Sequence, residues 1–373
     1  MPRPIQAYID LAALTHNLSI ARQHAPKARI MAVIKANAYG HGLLHTAHAL
    51  RDADGFAFLE LEAAICLRDA GFRQPMLLLE GFFSTQELAL LEKYRLSTVV
   101  HHDEQIAMLS NCKHHGLDVF LKINTGMNRL GFAPDQFSAA FEKLSSNPAI
   151  SQITVMTHFA TADGAINNEV FKHQLQIFNQ ITRHHLNPRS LANSAAIIRY
   201  PQAHQDWIRP GLMLYGVSPV TGKTAADLKL KPVMTLVSRI IAIHQLKKGD
   251  TVGYSGNFKA DKSMRIGIVA CGYADGYPRH APTGTPVLVN NQRCRLIGRL
   301  SMDMLAVDLT EANHVHLNSP VTLWGQGLPV EEIARAADTI SYELLCTLST
   351  RVEMVVIKND LQYQSTRVYQ ASK

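Results

Sequence analysis

The sequence predicts an α/β protein, a (β/α)8 TIM-type barrel followed by a mainly β C-terminal domain. Three observations carry this. Short apolar runs recur at 29–34, 55–59, 76–80, 97–100, 118–123, 153–158, 190–193 and about 207–215, eight in all. Segments of helical period lie between most of them, at 61–70, 85–94, 103–115, 135–144 and 168–185. Near Leu230 the rhythm changes to closely spaced strand-like runs divided by Gly, Pro and Asn.

The eight runs are apolar throughout rather than alternating, which suits a parallel sheet covered on both faces. Ahead of them, residues 7–17 read as a strand followed by a helix, and these first residues are free to pair with the β domain. Beyond Leu230 the strand-like runs fall at 232–242, 251–254, 265–268, 286–289, 293–297, 304–308 and 320–323, with one helical hairpin at about 330–348. The expected division is a barrel domain at 1–230 and a β domain at 231–373.

Composition narrows the function. The chain has 373 residues, 47% apolar and 18% charged, enough for one large core and a second smaller one. A net charge of +7 is spread along the chain, with no basic run longer than Lys247-Lys248, so small anionic ligands fit better than nucleic acid. The five cysteines are far apart and form no C-x-x-C pair, which implies a reducing compartment. With no signal-like stretch and no apolar run near the roughly 18 residues of a membrane span, a cytoplasmic protein without membrane contact is expected. The 18 histidines include the pairs at 101–102, 114–115 and 184–185, but no H-E-x-x-H and no Cys/His cluster. No metal site is expected.

In a barrel of this kind chemistry gathers at the C-terminal ends of the strands. Lys35 ends the first run, in V-I-K-A-N-A-Y-G-H-G, directly after Met-Ala-Val-Ile. That is a costly place for an ammonium unless low dielectric and a partner lower its pKa for Schiff-base chemistry. Arg129 follows the fifth run, His158 ends the sixth, Asn193 and Ser194 end the seventh, and Arg209 to Leu212 lie in the eighth. Tyr39 lies four residues after Lys35, and a helical turn there would set both side chains on one face. Ser194 reads equally as a cap for a helix beginning at Ala195 and as a phosphate ligand beside the flexible Gly211 backbone. A lysine, a tyrosine and a phosphate nest on one rim point to pyridoxal 5′-phosphate.

These residues resemble the alanine racemases. The likeness runs through V-I-K-A-N-A-Y-G-H-G, L-K-I-N-T-G-M-N-R-L-G-F, T-H-F-A-T-A-D, A-N-S-A-A, I-R-P-G-L-M-L-Y-G, V-G-Y-S-G-N-F, G-Y-A-D-G-Y-P-R and G-R-L-S-M-D-M, in order across essentially the whole chain. The resemblance implies a homodimer with shared active sites that interconverts L- and D-alanine, supplying D-alanine for peptidoglycan or degrading it. It further implies that Lys35 holds the cofactor and serves as one base, with Tyr254 of a partner subunit as the other. A tyrosine near its reference pKa of about 10 is a poor base at neutral pH, so cationic His158 and Arg129 are expected to favour its phenolate. Arg129 also contacts the substrate carboxylate in this reading, and Arg209 faces the pyridine nitrogen. Tyr39, Asn193, Ser194, Gly211 and Leu212 match the phosphate ligands, and Tyr273 and Met302 match partner residues at the substrate entrance, with Asp275 and Arg279 in the same region.

Lys122 matches a position carbamylated in some members, where it orients Arg129. Thr350 stands where some relatives have a phosphate-binding tyrosine, which leaves room for a slightly larger substrate, and Ser301 stands where some have cysteine. Two other readings are a relative acting on serine or another amino acid, or a barrel-type decarboxylase, whose phosphate and cysteine motifs are not evident here. A non-catalytic cofactor-binding barrel is a third, and residues 230–373 with Tyr254 argue against it.

Overall fold

The structure is a computed structural model and describes residues 3–110, 116–164 and 168–357. Eight parallel strands form a closed barrel: Arg29–Val33, Gly55–Phe58, Met76–Leu78, Ser97–Val100, Leu117–Lys122, Ile150–Met156, Arg189–Asn193 and Trp207–Arg209. Closure comes from the pairs Arg29 with Trp207 and Ile30 with Ile208. Each strand sits where the apolar runs predict, except that the last stops at Arg209 instead of near residue 215. Pro210 lacks the N–H that a further ladder bond needs, and Leu212–Tyr215 turns into a short 3-10 helix.

The helices between strands follow local chemistry. In Glu169–Thr182 the Asn168 side chain accepts from the Phe171 N–H at 3.1 Å, and Phe171, Gln174, Phe178 and Thr182 form its buried stripe. The segment predicted helical over 103–115 is helical at Asp103–Ser110. Cys112, His114 and His115 lie outside the described residues.

The second sheet has eight strands, and its membership departs from chain order. Gln6–Asp10 runs antiparallel to Met234–Leu246 on one side and parallel to Glu353–Ile357 on the other. The strand that precedes the barrel in sequence therefore belongs to the C-terminal sheet. One apolar core continues from the barrel into this sheet, and a smaller cluster gathers Val252, Ala260, Met264, Ile266 and Ile297. Two short helices, Val330–Ala336 and Ser341–Cys346, lie against the barrel's C-terminal rim. No helix among the described residues is long and apolar enough to cross a membrane.

Candidate active site

The C-terminal rim of the barrel opens into a cavity of about 1310 Å³. Lys35, Tyr39, Lys122, Arg129, His158, Asn193, Ser194, Arg209, Gly211 and Leu212 all line it. The topology explains the convergence, because together they end or follow five of the eight parallel strands.

Lys35 leaves the first strand into a backbone turn of the opposite hand to the one expected. Ala36, Asn37, Ala38 and Tyr39 all have φ between 49° and 56°. The turn is left-handed, so the one-face spacing of an ordinary helix does not apply to Lys35 and Tyr39. Each such L-residue costs roughly 1–2 kcal/mol, and the turn persists because its surroundings fix it. Gly40 N–H donates to Ala36 O at 3.0 Å, and Gly42 N–H to Asn37 O at 2.9 Å. A Cβ at Gly40 would collide with the Leu345 carbonyl, which seals the turn from the outside.

Arg209 is buried at the end of the last strand. Its Nη1 donates to Ser190 Oγ at 2.7 Å, and its Nη2 to Thr157 O at 2.8 Å and Leu191 O at 3.2 Å. These bonds leave Nε without a protein acceptor among the described residues. Burial lowers the guanidinium to about 10, still charged at neutral pH.

Arg209 Nη2 also lies 3.4 Å from His158 Nδ1. Since guanidinium only donates, Nδ1 is the accepting nitrogen and the ring proton sits on Nε2. Burial, together with Arg209, Lys122, Arg129 and Lys35, holds His158 well below the usual imidazole range. The cationic His158 expected from the sequence is therefore replaced by a neutral Nε2–H donor. Behind it, buried Gln174 donates to Thr125 Oγ1 and to His158 O, each at 3.2 Å, and accepts from Ala160 N–H at 3.0 Å.

Lys122 is buried at the end of its strand. Burial, then Arg209 and Arg129, pull its amine down to about 8 despite nearby Glu80. A surplus of positive charge around one cavity attracts phosphate and carboxylate anions.

At the far side of the cavity Asn193, not Ser194, caps the helix Ser194–Arg199, accepting from Ala196 N–H at 3.1 Å. This frees Ser194 Oγ to accept from Gly211 N–H at 2.8 Å and Met213 N–H at 3.4 Å. Its own proton remains available to an anion. A Cβ on Gly211 would stand 2.7 Å from the Tyr39 hydroxyl. The hydroxyls of Tyr39 and Ser194 and the backbone of Gly211 and Leu212 thus frame a small cradle that a side chain would fill. Burial raises the Tyr39 phenol, so it stays a neutral donor. These features fit a phosphorylated cofactor with a carbonyl for Lys35 and a ring nitrogen for Arg209.

Tyr254, Tyr273 and Met302 are not among the lining residues. All three are exposed on the β domain, Tyr254 by 67%. The loops of Tyr273 and Met302 are bound together: Tyr273 N–H donates to Ser301 O at 3.3 Å and Ala274 N–H to Met302 O at 3.0 Å. Fully buried Asp275 anchors them through Arg3 and Arg351. Thr350 is exposed and away from the cavity, whereas Tyr342, eight residues earlier, lines it and stands edge-on to Tyr39 at 5.8 Å. The sequence reading gave no role to Tyr342, His101, Gln174 and His41, although His41 stands in V-I-K-A-N-A-Y-G-H-G and His101 in the pair at 101–102. The apolar period of its own helix marked Gln174 as buried, and nothing local marked Tyr342.

Two family models match in tandem: the alanine racemase N-terminal domain over residues 9–219 and its C-terminal domain over 233–356. The chain belongs to the alanine racemase family. The alanine racemase of Nitrosospira multiformis is 61% identical over 356 residues, covering 95% of this chain and all of that protein. That of Nitrosomonas eutropha is 58% identical over 361 residues, covering 96% of this chain and all of its own length. The crystal structure of the biosynthetic alanine racemase from Pseudomonas aeruginosa superimposes with a TM-score of 0.93 at 45% identity, over 95% of this chain and 99% of that one. The chain is accordingly an amino-acid racemase, and alanine is its substrate class.

Proposed function

We propose that the chain racemises alanine with pyridoxal 5′-phosphate held on Lys35, and that Lys35 and the Tyr254 of a second subunit are its two bases. The observation that supports this reading most is the single cavity shared by Lys35, Arg209 and the cradle of Tyr39, Ser194, Gly211 and Leu212. When bound, the cofactor supplies an electron sink that acidifies the substrate α-carbon. Lys35 moves a proton at one face of that carbon, and Tyr254 moves one at the other. Arg129 binds the substrate carboxylate and His158 offers its Nε2–H on the tyrosine's side. Arg209, a donor only, would hold the ring nitrogen of the cofactor without giving it a proton, which would moderate the electron sink the cofactor supplies.

Lys122, with its amine near 8, is about one-tenth neutral at neutral pH. That fraction is able to attack carbon dioxide, losing one proton and forming a carbamate. The change puts an anion beside Arg129 where a cation stood. A homodimer gives the exposed Tyr254, Tyr273 and Met302 a cavity to enter. The enzyme works in the cytoplasm in this reading, supplying D-alanine for peptidoglycan or degrading it. The biosynthetic label of the Pseudomonas aeruginosa relative favours supply.

The test is spectroscopic and isotopic. Purified protein should carry the absorption band of the lysine-linked cofactor and lose it on borohydride reduction, with Lys35→Ala as the control. Colourless wild-type protein would refute the cofactor assignment. Exchange of the α-proton in D2O with each enantiomer of alanine and serine reads both reaction and substrate range.

A further inference from the structure

Four consecutive non-glycine residues in the left-handed region, φ 53°, 51°, 56° and 49° from Ala36 to Tyr39, need an explanation from their surroundings. The backbone bonds of the turn are shared with any turn. One side chain adds to them. His41 is completely buried, and its Nδ1 lies 3.0 Å from Ala38 O and 2.8 Å from Tyr39 O. Carbonyl oxygens only accept, so Nδ1 carries the proton and bridges both. Nε2 is then a bare acceptor, and it has no partner among the described residues. A buried orphan acceptor is unfavourable, and an apolar ring would pack without it. The imidazole thus makes sense through its Nδ1–H.

The ring leans on Tyr215, with centroids 4.6 Å apart at 32°. Tyr215 in turn stands edge-on to Tyr39 at 4.6 Å and donates its hydroxyl to Val33 O at 3.0 Å. The pair therefore grips the chain on both sides of Lys35, at Val33 before it and at Ala38 and Tyr39 after it.

We propose that His41 is a positioning residue: by bridging the Ala38 and Tyr39 carbonyls it locks the left-handed turn, and so fixes Lys35 and Tyr39 relative to one another. The inference rests on the reading of Lys35 as cofactor lysine and Tyr39 as phosphate ligand. It touches no reacting atom and acts only through those two.

The experiment titrates full-length protein, stripped of cofactor, with pyridoxal 5′-phosphate and with pyridoxal, which lacks the phosphate. His41→Phe keeps the ring volume and deletes the donor. It should weaken pyridoxal 5′-phosphate by on the order of tenfold or more and pyridoxal far less, because the cradle hydroxyl is displaced. His41→Asn, whose amide N–H replaces Nδ1–H, should recover most of the affinity. Ala36→Gly in the His41→Phe background removes one left-handed penalty at an exposed residue and should restore about fivefold. Unchanged affinity in His41→Phe overturns the proposal, as does a folded His41→Asn no better than His41→Phe, or no gain from Ala36→Gly. If His41→Phe does not fold, nitrogen-15 NMR of histidine-labelled wild type decides: an Nδ1–H tautomer at His41 with slow exchange supports it, and an Nε2–H tautomer refutes it. Wild-type protein that binds neither aldehyde refutes the cofactor reading itself, a separate result.

Discussion

Lys35 and Tyr254 stand in opposite surroundings. Lys35 follows buried Val33 and Ile34 and enters a turn closed by backbone bonds, by His41 and by the carbonyl of Leu345. Tyr254 is 67% exposed, on a loop of the β domain where Gly253 and Ser255 have φ of 76° and 62°. A group that one chain holds rigidly inside its own cavity needs no second chain to place it. Tyr254, like Tyr273 and Met302, is instead exposed on the β domain and does not line the cavity that holds Lys35.

The largest expected effect breaks that contrast directly. Lys35→Ala and Tyr254→Phe should each lose most activity, on the order of a thousandfold. Co-expressed in equal amounts they should regain about one quarter of wild-type activity, since half of random dimers carry one intact site of two. Failure of the mixture to recover would mean that both bases act within one chain. Next is the barrel side alone. Arg209→Met takes the donor from the buried Thr157 and Leu191 carbonyls and leaves Ser190 Oγ only its 3.4 Å bond to Trp207 O, and should cost about 2–4 kcal/mol in urea unfolding of the cofactor-free protein.

A third effect follows from titration. Burial lowers His41 to about 4, whereas in the unfolded chain it protonates near the ordinary imidazole value of about 6.5. The unfolded state binds more protons between these values, so stability is full above about pH 6.5 and falls as pH drops toward 4. The loss is up to about 3 kcal/mol for this group, and His158 adds in the same direction. Melting temperatures measured across that window should fall, with a flatter slope in His41→Asn. The smallest effect is local. Gly211→Ala brings a methyl to within 2.7 Å of the Tyr39 hydroxyl. It should weaken the cofactor about tenfold and change the stability of the cofactor-free protein by less than about 1 kcal/mol.

The same contrast separates what was legible in the sequence from what was not. Strand positions were readable because each barrel strand is a short run of buried apolar residues between polar helices, and the rim residues then followed from topology. The turn after Lys35 was not readable, because K-A-N-A-Y contains no glycine to announce positive φ, and its cause lies in tertiary contacts from His41, Tyr215 and Leu345. The protonation of His158 was misjudged for a related reason: its cationic neighbours come from other strands. Ser194 reads equally as cap and as ligand because sequence does not distinguish it from Asn193, one residue earlier, whose backbone is extended and whose side chain makes the capping bond.

The fit of Gly40 against the Leu345 carbonyl has a consequence for the unit of inheritance. A barrel cut free near residue 230 would keep all eight strands, yet the turn bearing Lys35 would face solvent where the C-terminal helix now stands. A recombination event that exchanged the β domain for a foreign one would have to bring a carbonyl to the same spot. The two halves of this chain are therefore expected to travel together, since the wall of the first half's active site is encoded in the second.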